Sequence, residues 1–567
     1  MIEQNWQVAE TYDADKVESF ARQLNSSPVL ARVLLNRGID EVERARGYFI
    51  PKIEHLHDPF LMTDMMAAVE RIGQALRDRQ GIVIFGDYDV DGTTATSLLL
   101  LFFQGLGHPV EYYVPDRLSE GYGVSEKGIR FARERGAELM ITVDCGITAV
   151  AEIEAARECG LDVIVCDHHQ PGPELPRATA VLNPKREDCL YPFKELAGVG
   201  VAFKLLQALQ RHIKLDESRV YDLLYLAAIG SAADIVPLVD ENRVFVRLGL
   251  QQLLQSALNV GLRSMFDLTS LTGKTIGTGQ IVFVIAPRIN AAGRLGDAGR
   301  AIKLLTSDDE QFAKETAAVL EEENRNRREI DDRMLKEALE LIHQNGDPGE
   351  ENIFVLNSES WHPGVVGIVA SRIVDKYFRP AILIATENGR GRGSARSIPG
   401  FNIYEALKSC EDLLLAFGGH KYAAGLSIET ENIPKLRDKL SQLAGELLTD
   451  DMKKPVLRID SELKFRDIEP TLLKLVQKMA PFGPQNPRPT FLTRGVEIVG
   501  SPAVVGRNHL KFKVRQDGAV MDAIGFDLGD KKYRISSGEQ DVDLVYVVDE
   551  NEYLGRKTIQ LRVKDLR

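Results

Sequence analysis

IVIFGDYDVDG, residues 82–92, decides how this chain folds. Four apolar residues run straight into three carboxylates, Asp87, Asp89 and Asp91. A short continuous apolar run reads as a strand buried on both faces. The pattern recurs in VEYYV at 110–114, LMITV at 139–143 and VIVC at 163–166. Amphipathic stretches, such as 125–136 and 148–159, lie between them. Strands alternating with helices predict an α/β fold with a parallel sheet covered on both faces. Ligands of such sheets bind beyond the carboxyl ends of the strands. Three of these strands end in chemistry: Asp87/Asp89/Asp91, then Asp144 in LMITVDCGI, then Asp167, His168 and His169 in VIVCDHH. Asp234 interrupts the otherwise apolar run LAAIGSAADIVPL.

A lone aspartate at a strand end is usually a turn or cap residue. Repetition at successive strand ends points to a shared site. Asp87, Asp89 and Asp91 share one side only if the segment stays extended. Acids that close repel one another unless cations sit among them. D-x-D-x-D-G also opens a calcium loop of the EF-hand type. That loop needs a glutamate at its twelfth position, here Leu98, and a preceding helix where this chain has a strand. The EF-hand reading therefore fails. Oxygen ligands with imidazole and no thiolate suit Mn²⁺ or Mg²⁺, with imidazole tilting the choice to Mn²⁺. Two such ions sharing a carboxylate suit in-line displacement at phosphorus.

The chain has 567 residues and a formal net charge of −13. That length predicts several domains, and that charge excludes a general cationic coat for nucleic acid. The five cysteines show no C-x-x-C pair and are odd in number, which fits a reducing compartment. No stretch has the roughly 18–20 apolar residues needed to span a bilayer, so a cytoplasmic protein without membrane contact is expected. Residues 1–50 read as a helical segment, and residues 306–345 as one long connecting helix without proline. A second α/β unit follows, with strands IFVL (353–356) and PAILIAT (380–386). Short strands such as LKFKVR and LVYVV then predict a small barrel. Residues 456–567 carry 19 basic and 16 acidic side chains, so the tail is basic, at +3, within an acidic chain.

GDYDVDG, TVDCGI and the Asp-His-His triplet resemble successive motifs of the DHH phosphoesterase superfamily. EGYGVS (120–125), AGVGVAFKLL (197–206), PRINAAGR (287–294), WHPGVVGIVASRI (361–373), GRGSAR (391–396) and GGHKYAAG (418–425) extend the resemblance over essentially the whole chain. It implies a DHH catalytic domain at 51–305, a DHHA1 substrate-binding domain at 346–450 and an OB-fold barrel at 455–567. It also implies a metal set of Asp87, Asp89, Asp91, Asp144, His168 and Asp234. Asp87 stands where many members have histidine. His169, Asp144 and Asp167 would be catalytic, Asp167 by orienting an imidazole.

GRGSARSIPG reads as a glycine-spaced loop whose Arg390, Arg392 and Arg396 suit phosphate oxygens, or else as a solvated turn between strands. The resemblance implies that Ser394 and Arg396 hold the 5′-terminal phosphate, with Arg392 beside them. His420 in GGHKYAAG matches the same domain's second motif. Arg117, Arg288, Asn290 and Arg294 are further phosphate candidates, and Arg117 and Arg288 read equally well as ion pairs. Tyr122 either stacks on a base or fills the core. Lys511, Phe512, Lys513 and Arg515 alternate on a barrel strand, which fits equally a stacking and charge track for a single strand or any half-buried strand; the resemblance and the local +3 favour the track.

Within the superfamily the resemblance is to enzymes that degrade single-stranded DNA from the 5′ end in repair and recombination. It implies a monomer working with a helicase and a single-strand-binding protein. Two rival readings are another superfamily phosphodiesterase (nano-RNase or cyclic-dinucleotide type) and a non-catalytic replication scaffold of the Cdc45 type.

Overall fold

The computed structural model describes residues 3–9, 12–117, 119–254, 259–344, 346–535, 541–553 and 555–567. The chain divides into two compact units. One comprises Glu43–Arg325 and Met479–Arg488. The other comprises the residues up to Val42, Asn326–Lys478 and Pro489–Arg567.

The first unit is built on a five-stranded, all-parallel sheet. Its strands lie in the order Val110–Tyr113, Gly81–Gly86, Ala137–Val143, Asp162–Cys166, Ala180–Leu182. Ile82 and Ile84 enter one core, with Leu98, Phe103, Val199 and Ile229. Val83 and Phe85 enter another, with Ile129, Ala132 and Ile153. Burial on both faces explains why these strands are apolar without alternation. The helix Val90–Gly105 is buried almost all round, as its TSLLLLFF run requires.

The second unit holds two further sheets. One is mixed, in the order Leu414–His420, Ala423–Glu429, Arg390–Arg396, Ala381–Glu387, Phe354–Ser358, with only the last pair parallel. The other runs through Phe491–Val505, His509–Gln516, Ala519–Gly525, Arg556–Leu566 and Val542–Tyr553. It closes where the last of these pairs with the first. This is the small barrel expected of the tail.

Three expectations are corrected. The N-terminal segment is not wholly helical: Asn5–Val8 is a strand, paired in parallel with Val456–Ile459. Four residues with a largely exposed pattern carry no local strand signal, and the partner lies some 450 residues away. The connecting helix runs Glu310–Gln344, not from 306. The Asp309 carboxylate accepts the N–H groups of Gln311 and Phe312 and so starts a new helix after Gly299–Thr306. Finally, GRGSAR is an internal strand rather than a loop. Arg390, Arg392, Ser394 and Arg396 share one face of it, and Gly391, Gly393 and Ala395 share the other. A Cβ on Gly391 would come within 2.6 Å of Ile384. These glycines therefore make room for neighbouring side chains in the core. Among the described residues, no helix is long and apolar enough to cross a membrane.

Candidate metal centre

The first parallel strand ends at Gly86, and the acidic motif turns at once into a helix. Asp89 is the N-cap of Val90–Gly105 and accepts from the N–H groups of Asp91 (2.9 Å) and Gly92 (3.1 Å). The motif therefore does not stay extended, and its three acids diverge. Asp91, in the first helical turn, accepts from the N–H groups of Gly198 (2.6 Å) and Val199 (2.8 Å). Those amides open the helix Gly198–His212, whose N-terminus favours a carboxylate. A Cβ on Gly198 would lie 2.7 Å from Asp144, so the close approach requires glycine there.

Asp144 follows the strand Ala137–Val143 with φ 61°, a left-handed backbone that aspartate tolerates better than most residues. Asp167, His168 and His169 follow Asp162–Cys166. Asp234 terminates the helix Leu224–Ala233. These ends converge. The ligand atoms of Asp87, Asp89 and Asp144 lie within 4.8 Å of one another, as do those of Asp91, His168 and Asp234. Asp144 joins the two trios, with its Oδ1 3.1 Å from His168 Nε2. His168 Nε2 is also 3.7 Å from Asp234 and 3.8 Å from Asp91.

The donor set fits divalent cations. Asp87 Oδ1, Asp144 Oδ1 and both ring nitrogens of His168 are buried without a hydrogen-bond partner. Buried polar atoms are rarely left so unless something else satisfies them. The charge balance agrees. Burial, then the neighbouring Asp89 charge, pushes Asp87 well above the usual carboxylate range and Asp91 up to about 7. Burial and the other acids raise Asp144 and Asp234 in the same direction. Burial and the adjacent His169 lower His168 to about 3, so it is a neutral ligand at physiological pH. Such a cluster holds its full negative charge only with cations among it.

A third group, Asp144, His168 and His169, also has its ligand atoms within 4.8 Å of one another, and Asp167 binds His169 from beside it. Asp167 Oδ1 accepts from the backbone N–H of His168 (2.7 Å) and His169 (3.1 Å) and from His169 Nδ1 (2.8 Å). Its Oδ2 accepts from Ile147 N–H at 2.9 Å. Burial opposes the charge on Asp167, but the bond to His169 and its charge hold it below the usual range. Burial likewise opposes the charge on His169, and Asp167 outweighs it, so that imidazole is raised.

The other candidates divide. The Arg117 guanidinium lies over the Tyr88 ring at 5.0 Å, and its charge opposes the rise in the Asp87 pKa. Arg294 likewise opposes the rise at Tyr88. Arg288 is ion-paired with Glu321 of the connecting helix. Asn290 Oδ1 accepts from Val90 N–H at 3.1 Å, so it braces the acidic turn.

In the other unit, Arg396 donates to Ser394 Oγ at 2.9 Å, and both lie against Gly367 in the first turn of the helix Val366–Tyr377. Arg392 shares their strand face. His420 ends an exposed strand. On the barrel, Lys511, Lys513 and Arg515 face out, while Phe512 is buried in the core. The stacking half of the expected track is thus corrected, because alternation on this strand separates core from solvent. Lys513 and Arg515 pair with Asp522 (3.6 Å) and Glu497 (3.2 Å) on neighbouring strands. Sequence reasoning assigned no role to the amides of Gly198 and Val199, although AGVGV was visible as a motif.

Comparison with known proteins covers all three regions. The DHH family N-terminal domain matches residues 81–230, the DHHA1 domain 350–446 and the RecJ OB domain 459–565. A single-stranded-DNA-specific exonuclease RecJ from Bacillus subtilis (strain 168) is 42% identical over 560 residues, covering 98% of this chain and 70% of that one. Its namesake in Escherichia coli (strain K12) is 34% identical, covering 95% and 96%. The crystal structure of RecJ in complex with Mn²⁺ from Thermus thermophilus matches with a TM-score of 0.85 at 30% identity, over 99% of this chain and 79% of that one. A Mg²⁺ complex from the same organism matches at 0.79 and 28% identity, over 99% and 78%.

Proposed function

The chain belongs to the RecJ family of the DHH superfamily, and on that footing we propose that it is a metal-dependent exonuclease of single-stranded DNA. It releases nucleotides from the 5′ end in repair and recombination. The observation that carries this reading is the pair of ligand trios joined through Asp144, with buried donors otherwise unsatisfied.

Asp87, Asp89 and Asp144 would hold one Mn²⁺ or Mg²⁺, and Asp91, His168 and Asp234 the other. When bound, such a pair supplies activation of water and charge neutralisation at the scissile phosphate. The chain's own residues do the rest. Asp167 keeps a hydrogen on His169 Nδ1 and so orients that ring beside the ligand cluster. Asn290 and the amides of Gly198 and Val199 hold Asp89 and Asp91 in place. Arg117 and Arg294 add positive charge beside the acidic turn. Ser394 and Arg396, with Arg392 on the same face, take the 5′-terminal phosphate, and His420 extends that surface. Lys511 and Lys513 attract the strand electrostatically. We further propose that the protein acts as a monomer, on strands opened by a helicase and presented with a single-strand-binding protein.

Digestion of 5′- and 3′-labelled single-stranded and duplex oligonucleotides, with and without Mn²⁺, tests this. The expected result is release from the 5′ end of single strands only, and only with metal. Equal attack on duplex, or cleavage in chelator, overturns the reading. The superfamily phosphodiesterase alternative is disfavoured by the OB barrel, and the scaffold alternative by the complete ligand set.

A further inference from the structure

Tyr122 is half exposed beside the metal centre and has no part in the mechanism above. Its hydroxyl oxygen lies 3.1 Å from the main-chain oxygen of Asp144 and 3.0 Å from Nδ1 of His169, with Nε2 at 3.5 Å. The two rings meet edge to face, with centroids 5.4 Å apart. A phenol has one hydrogen, and a carbonyl oxygen can only accept. The Tyr122 hydrogen therefore goes to Asp144, and its oxygen acts as an acceptor toward the imidazole. Nδ1 of His169 then faces two acceptors, Tyr122 at 3.0 Å and Asp167 at 2.8 Å, and must carry hydrogen.

The hydroxyl is held where it stands. Gly121 and Gly123 flank Tyr122 with φ 85° and 95°, a backbone that favours glycine. The preceding Glu120 carboxylate accepts from Tyr113 Oη (2.8 Å), Ser125 Oγ (2.7 Å) and Asp116 N–H (3.0 Å). EGYGVS is thus a braced turn that delivers one oxygen to one imidazole.

We propose that Tyr122 is a positioning residue for His169. Its hydroxyl, tied to the backbone of the ligand Asp144, fixes the rotation and tautomer of that imidazole together with Asp167. The alternative, a ring that stacks on a base, uses the phenyl face and not the oxygen. The inference rests on the nuclease reading.

The test uses the full chain with Mn²⁺ and a 5′-phosphorylated single-stranded oligonucleotide. Tyr122→Phe keeps the ring and is expected to lower kcat roughly 10–100-fold with KM unchanged. Tyr122→Leu should match it in both constants. In a His169→Gln background, Tyr122→Phe should change the single-turnover rate less than about 2-fold, because the hydroxyl acts only through that imidazole. Selective ¹⁵N-histidine labelling reads the same contact without turnover. The wild type should show His169 protonated at Nδ1 in one tautomer, and Tyr122→Phe should show averaged ring-nitrogen shifts. A Tyr122→Phe variant with wild-type kcat, a rise in KM confined to Tyr122→Leu, or unaltered nitrogen shifts overturns the proposal. If the wild type itself does not cleave, the nuclease reading is what fails.

Discussion

Asp144 is a member of one ligand trio and lies against His168 of the other, and replacing it separates chemistry from folding. Asparagine tolerates the left-handed backbone there, so Asp144→Asn should keep the fold. Its loss takes a ligand from one cation site and a close neighbour from His168 of the other. Cleavage is expected to fall at least about 1,000-fold, the scale of several kcal/mol of charge stabilisation. Retained cleavage in an oligonucleotide assay would remove the two-metal arrangement. The same residues set a pH dependence. Asp91 titrates near 7 in the folded chain, well above an exposed aspartate, and Asp87, Asp144 and Asp234 shift in the same direction. A raised carboxylate binds more protons folded than unfolded. Stability of the metal-free protein therefore falls as pH rises from about 4 through about 7. Added Mn²⁺, which binds the ionised acids, should raise Tm more at pH 8 than at pH 6. A metal-induced rise in Tm that is the same at both pH values would contradict this account of the cluster.

At the scale of elements, the strand Arg390–Arg396 shows how one alternation serves two ends. Its glycine face lies under Ile384, Leu426 and Ile428, while its arginine and serine face carries the phosphate candidates. Gly391→Val should overpack that core and cost about 1–3 kcal/mol, seen as a lower Tm. Arg396→Ala should leave Tm alone and reduce the preference for a 5′-phosphorylated over a 5′-hydroxyl end roughly 10-fold or more. An unchanged ratio would free this face from that role. The barrel strand His509–Gln516 divides in the same way. Lys511→Glu should weaken single-strand affinity and lower the salt slope by about 1, whereas Phe512 serves the core. Both strands carry their alternation openly in sequence. Which side met solvent was not legible, because it depends on partner strands brought from elsewhere in the chain.

At the scale of the molecule, one short segment of the tail leaves the compact unit that holds the rest of it. This segment, Met479–Arg488, packs with Glu43–Arg325. There Arg243 donates to the main-chain oxygens of Met479 (3.0 Å) and Ala480 (3.1 Å), with its guanidinium over the Tyr48 ring at 3.8 Å. Removing residues 456–567 would strip a buried guanidinium of those partners and leave the strand Asn5–Val8 unpaired. The truncated chain should lose several kcal/mol, on the order of 1.5–3 for each charged hydrogen bond lost. Equal Tm for residues 1–455 and the full chain would show the anchor to be idle. A surface change such as Lys511→Glu is therefore a cleaner probe of the barrel than a deletion.

The sequence by itself determined the parallel sheet, the three strand ends that carry Asp87, Asp144 and His168, and the nature of the cations they suit. Those features follow from local patterns: apolar runs, turn residues and the softness of the donors. Only the tertiary structure decided that the acidic motif turns helical at Val90 and sends Asp91 to a different trio from Asp87 and Asp89. It also decided that GRGSAR is a strand, that Asn290 braces the acidic turn and that the Tyr122 oxygen meets His169. Each of these depends on a partner far away in sequence, on amides of Gly198 and Val199 or on carbonyls such as that of Asp144. Backbone donors and acceptors are the same in every residue, so they leave no mark in sequence until the fold brings them within reach.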